Sequence, residues 1–215
     1  MGSISLIRHG QASFGTDNYD ALSASGHEQA RALGYSWEAA GWLPTHAVSG
    51  SMQRHLETAL GSLAAAGQDD GYDVDEGWNE FDHESVIRAF HAGDSPTDPR
   101  EFQAVFAASA RRWAGGEAND ECAETFAEFS DRVLAAFDRV VESTGTGESA
   151  AVFTSGGVIA VVVSQLVAGD LSLWSTFNHV AINAGVTKVV TGRSGRTLLS
   201  FNEHTHLPVD LVTYR

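Results

Sequence analysis

Apolar residues fall into short runs, separated by longer stretches in which they recur every three or four positions. Ile4 to Ile7, within residues 3–8, reads as a first buried strand. Turn formers fill "GQASFGTDNYDALSASG". A helix is expected from about Gly26 through Ala40, with Ala30, Leu33 and Trp37 at helical spacing and Ser23 or Ser25 as its cap. "THAVSG" at 45–50 is a second strand, feeding a helix in "SMQRHLETALGSLAAAG" with Ser51 as the expected N-cap and Gly67 as its stop. A third brief strand is placed near 72–75. Residues 83–120 carry short helical pieces around "DSPTDPRE" and read as an excursion from the sheet.

A long amphipathic helix is expected over 121–143, with Phe126, Phe129, Val133, Phe137 and Val140 on one face. The fourth strand follows at 150–154, and a buried helix starts near Gly157. Two β-rich runs around "RSG", "AGVTKVVTG" and "GRTLLSFNEHTHL", predict a hairpin at a sheet edge. Strands alternating with helices imply an α/β fold, three layers deep, with a mostly parallel central sheet covered on both faces. In such folds ligands collect outside the carboxyl ends of the strands. Arg8 and His9, which follow the first apolar run directly, stand at such an end.

Composition narrows the partners. The chain has 215 residues, 43% hydrophobic and 19% charged, with four prolines, and is expected to form one domain over 1–215. Thirteen basic against 28 acidic residues give a net charge of -15, which argues against nucleic acid and anionic membranes as partners. A few converging cations can still bind a small anion. Cys122 is the only cysteine, so no internal disulfide forms, and a strand beginning by residue 4 leaves no room for a cleavable signal, making a cytoplasmic location the expectation. The opening Met-Gly lacks the Ser or Thr at position 6 that myristoylation wants, Leu6 standing there. The apolar tract 150–169 contains Ser155, Gly156, Gly157 and Gln165, and reads as strand, turn and buried helix rather than a membrane span.

Three strand exits hold candidate anion binders: Arg8 and His9 after the first, Arg54 after the second, and "TSGG", Thr154 to Gly157, after the fourth. The last two open helices whose unpaired N–H groups favour a phosphate. Taken singly, Arg8 is an ordinary salt-bridge partner, the glycine pair mere punctuation, and Glu80 between aromatic residues a rim carboxylate. The set is what points to a phosphate site.

"LIRHG", "SGSMQRHLETA" and "WNEFD", in this order after successive strands, resemble the histidine phosphatase superfamily with its phosphoglycerate mutase-like fold, over nearly the whole chain. That resemblance implies a metal-independent phosphatase without cofactor, hydrolysing small phosphomonoesters or phosphoramidates. His9 would be the nucleophile, Arg8 and Arg54 would hold the phosphoryl oxygens, Glu80 would be the proton donor with Asp82 or Glu84 next in line, and Gln11 and Ser13 would line the mouth. Specificity is expected in the 83–120 insertion, where Phe90, Phe102, Phe106 and Trp113 either face substrate or pack the core. Mutase-type phosphoryl transfer is the lesser variant. Oligomeric state is not legible.

One position departs from the family pattern. A second histidine is usual in a His-Gly-Gly turn after the fourth strand, and here that position is Ser155, followed by Gly156, both expected to bind substrate. The expectations are a weakened site, a site rebuilt with another histidine, or a phospholigand-binding module with little turnover. His83, His179, His204 and His206 are the substitutes considered. His27, His46, His55 and His91 have no distinctive setting and read as surface or core residues.

Overall fold

The computed structural model describes residues 1–13, 20–68, 71–91, 98–117 and 119–214. Parts of two predicted segments, residues 14–19 of the first turn-rich tract and 94–97 of "DSPTDPRE", lie outside these ranges. Among the described residues six strands form one sheet: β1 (Gly2–Arg8), β2 (His46–Ser49), β3 (Asp73–Val74), β4 (Ser149–Thr154), β5 (Val186–Gly192) and β6 (Gly195–Glu203). Their order is β3-β2-β4-β1-β5-β6. β3, β2, β4 and β1 run parallel, joined through helices, while β5 and β6 are antiparallel. Arg193 and Ser194 alone connect β5 to β6, a link too short for anything but a hairpin, which closes one edge as expected.

The helices are α1 (Ala24–Ala40), α2 (Gln53–Ala65), α3 (His83–Phe90), α4 (Pro99–Ala114), α5 (Phe126–Ser143), α6 (Gly156–Ala168) and α7 (Trp174–His179). Strand periodicity distributes the core. Ile4, Leu6, Ala150 and Val152 face α5 and α6, meeting Phe129, Val133, Phe137 and Val158. Their neighbours Ile7, Ala151 and Phe153 point the other way, onto Leu33 and Trp37 of α1 and Ala59 and Leu63 of α2. Every residue of β4 is buried, as a strand covered on both faces requires. The fold is therefore the expected three-layer α/β/α arrangement.

Two boundaries differ from expectation. α2 is preceded by Met52 rather than Ser51 and has no cap from its own N-cap side chain. Asp20, from a distant segment, accepts from the Gln53 amide at 2.7 Å instead, while Ser51 is held by Asn79. α5 begins at Phe126 rather than near 121, because Thr125 and Glu128 form a capping box that fixes its start. The helix after β4 begins at Gly156, with Ser155 as N-cap. α6 is buried along Gly156 to Ser164, which accounts for the apolarity of tract 150–169. Among the described residues no helix is long and apolar enough to cross a membrane.

Within 83–120, Trp113 is fully buried among Phe81, Phe126, Phe129 and Trp174. Phe106 stacks on Phe81, and Arg112 lies over the Phe90 ring. These side chains pack the excursion onto the sheet layer.

Candidate active site

His9 follows β1 directly. Its amide donates to the Thr154 carbonyl at 2.8 Å, and its carbonyl accepts from the Ala184 amide and Asn183 Nδ2, both at 3.2 Å. The backbone under the ring is thus tied to β4 and to the loop entering β5. Gly10 then passes so close to α1 that a Cβ on it would stand 2.5 Å from the Gly26 carbonyl oxygen, and its amide donates to Thr58 Oγ1 of α2 at 3.0 Å. The Arg8-His9-Gly10 run combines a cation, an imidazole and a residue small enough to bring two helices against them.

His9 is 7% exposed, and its Nδ1 lies 2.7 Å from the Gly10 carbonyl oxygen. A carbonyl only accepts, so Nδ1 carries the ring proton and Nε2 holds a free electron pair. Burial first, then the charges of Arg54 and Arg8, hold the ring well below the usual histidine range. It is neutral at pH 7.

Arg8 donates to the carbonyls of Ala181 and Tyr214, the latter at 3.1 Å, and its Nε faces the first residue of α6, 3.7 Å from where a Cβ on Gly156 would stand. Arg54, in the first turn of α2 and 6% exposed, pairs with Asp20 and donates to Met52 Sδ at 3.3 Å. Its cation lowers His9, His55, Glu80 and His83 in turn, so all four lie within electrostatic reach of one guanidinium.

Glu80 accepts from the Gly157 amide at 3.0 Å and from the Phe81 amide at 3.3 Å. Burial raises its carboxyl above the ordinary range, against the opposing pull of the Gly157 amide and both arginines. Asp82 and Glu84 are engaged elsewhere: Asp82 caps α3, and Glu84 is an exposed partner of Arg88. Gln11 and Ser13 are drawn into loop structure, Gln11 Oε1 accepting from Ser23 and Ser13 Oγ donating to the Leu22 carbonyl.

The structure corrects one reading sharply. His55, expected to be an undistinguished surface or core histidine, is fully buried with its ring centroid 5.7 Å from that of His9 and its Nε2 2.6 Å from Ser155 Oγ. Of the four substitutes considered, His83 feels the Arg54 charge, its ring edge-on to Phe106. His204 bonds the Asn202 carbonyl, His206 is held by the Ala184 backbone, and His179 ends α7. Asp20 and Asn79 are the other residues sequence reasoning passed over, one pairing with Arg54 and the other bracing Ser51 beside Glu80. The available signal for His55 was its adjacency to Arg54 in a helix that starts at a strand exit. Among the described residues no group of three or more His, Cys, Asp or Glu side chains is arranged to hold a metal ion.

A phosphoserine phosphatase variant from Entamoeba histolytica, in complex with phosphoserine, is 18% identical, with 97% of this chain and 100% of that chain covered at a TM-score of 0.69. A phosphoglycerate mutase from Bacillus anthracis is 20% identical over 95% and 94% of the two chains, TM-score 0.67. A mycobacterial glucosyl-3-phosphoglycerate phosphatase is 20% identical over 95% and 100%, TM-score 0.68. At such identities the likeness is one of fold. No curated protein matches by sequence. The model of the histidine phosphatase superfamily, branch 1, however, matches residues 4–204, from the first core strand to just beyond the last. The chain belongs to the histidine phosphatase superfamily.

Proposed function

We propose that this protein hydrolyses small phosphomonoesters through a phosphohistidine on His9, without a metal ion. The observation that carries the reading is the bond from His9 Nδ1 to the Gly10 carbonyl, which leaves Nε2 bare on a neutral ring close to two arginines. In the first step the Nε2 electron pair forms a bond to phosphorus while the bond to the leaving oxygen breaks. Glu80, kept protonated more readily by burial, gives its proton to that oxygen. In the second step the Glu80 carboxylate takes a proton from water, whose oxygen attacks phosphorus, and the bond to Nε2 breaks. Inorganic phosphate leaves, and both residues return to their starting states.

Arg8, Arg54 and the amides opening α6 would face the equatorial oxygens, supplying the charge stabilisation on which phosphoryl transfer mainly depends. Gln11, Ser13, Ser155 and Gly156 would complete the proposed binding set. The whole chain, 1–215, would act as one domain, with the 83–120 segment shaping specificity. Phosphoserine and 3-phosphoglyceric acid, bound by structural relatives, are the first natural substrates to try.

An aryl phosphate assay with chelator present, followed by trapping of acid-labile phosphate on the protein, tests the reading. Turnover in the wild type and none in pure His9→Ala is expected. Phosphate binding without turnover in the wild type would replace it with a phospholigand-binding module.

A further inference from the structure

His55 and Ser155 reach each other from two strand exits. β2 leads into the first turn of α2, which carries His55, and β4 runs directly into Ser155. Both side chains are fully buried, with Nε2 2.6 Å from Oγ. The second ring nitrogen, Nδ1, has no hydrogen-bond partner among the described residues. It faces the Gly50 backbone, where a Cβ would come within 2.3 Å of it, so Gly50 makes room for the ring.

These contacts give the pair a direction. Burial and the Arg54 charge keep the His55 ring neutral, so it carries a single proton. A buried N–H without an acceptor is rarer than a buried acceptor without a donor. The proton therefore belongs on Nε2, which donates to Ser155 Oγ and leaves the Nδ1 electron pair bare. A hydroxyl that accepts from one side still has its own O–H to place. Ser155 is the N-cap of α6 yet makes no side-chain bond to that helix, so its O–H is not used there.

We propose that Ser155 donates this hydrogen bond to a phosphoryl oxygen during transfer to His9, and that His55 is the positioning residue that fixes the direction of the hydroxyl. The inference rests on His9 as the phosphoryl acceptor. No proton changes owner: Nε2–H, O–H and the phosphoryl oxygen form a chain of two hydrogen bonds that strengthens as charge develops on that oxygen. On this account the site is rebuilt rather than weakened, with the imidazole supplied from α2 and the hydroxyl from the turn after β4. An imidazole placed at both positions would not fit, since Ser155 Oγ already lies at contact distance from the His55 ring.

Rapid-quench measurement of phosphoenzyme formation with an aryl phosphate tests this, alongside ring nitrogen NMR of His55. Ser155→Ala and His55→Leu should each slow formation by about 10² to 10³, the usual cost of one preorganised donor. The double variant should be no slower than either single one, because they break one chain. His55→Gln, whose amide can still donate, should retain more rate than His55→Leu and guards against a merely unfolded protein. Ser155→His should lose activity, and His55→Ala combined with Ser155→His should regain part of it. NMR should find the proton on Nε2. Wild-type rates in Ser155→Ala, multiplying losses in the double variant, or a proton on Nδ1 would overturn the proposal while leaving acid-labile phosphate on His9 intact. Turnover surviving in His9→Ala, or acid-stable phosphate on Ser155, would instead overturn the reading on which it rests.

Discussion

The Gly157 amide donates to Glu80 Oε2 at 3.0 Å, and a Cβ on Gly157 would lie 2.4 Å from Oε1. The second residue of α6 is thus a glycine because a carboxylate occupies the space a side chain would take. This contact joins the segment after β3 to the helix after β4, and it brings the proposed acid to the same helix end as Ser155 and Arg8.

Glu80→Gln should therefore remove a proton donor while keeping shape. Alkyl phosphates, with poor leaving groups, should lose far more rate than aryl phosphates. Because the Glu80 carboxyl is raised by burial, the wild-type rate on alkyl substrates should fall as pH rises through that elevated value, and Glu80→Gln should lack this limb. Equal losses on both substrate types would move the acid role to another group.

Arg54→Ala should weaken inorganic phosphate binding and lower turnover. Arg54→Lys should recover little, since a point charge on a flexible stem cannot engage Asp20 and a phosphoryl oxygen with a fork. Calorimetry showing equal phosphate affinity in all three proteins would leave Arg54 a structural role only.

Gly10→Ala places a methyl group 2.5 Å from the Gly26 carbonyl oxygen, where only backbone can yield. A destabilisation of about 1–3 kcal/mol is expected from overpacking, read from urea unfolding. Turnover should drop as well, because Gly10 carries the carbonyl that orients His9.

Acid should destabilise the fold through its buried histidines. His206 titrates near 6.5 unfolded and at about 4 folded, so below pH 6.5 the unfolded chain binds the extra proton and stability falls until about pH 4. The loss from His206 amounts to about 3 kcal/mol. His9 and His55, also lowered by burial, act in the same direction, whereas Glu80, raised, contributes stability that is lost as pH rises through its folded value. Thermal unfolding from pH 7 to pH 5 should show a falling midpoint, and His206→Gln should reduce the fall.

Much of this protein was written in local order. The burial of Ile4 to Ile7, the alternation of strands with helices, the hairpin around Arg193 and Ser194, and the placing of Arg8, His9 and Arg54 at strand exits all follow from short-range periodicity and chain direction. Glu80 was legible from its motif beside Trp78 and Phe81. Each depends on residues a few positions apart, where helix and strand geometry act directly. Asp20, Asn79 and the meeting of His55 with Ser155 depend instead on which distant segments converge. Asp20 caps α2 and pairs with Arg54 from 33 and 34 residues away, and the imidazole meets the hydroxyl across 100 residues. No periodicity encodes those distances. The meeting of His55 with Ser155 is set when β2 and β4 pair in parallel and bring their exits side by side, so the identity of the residue facing His9 was decided by the sheet rather than by the motif.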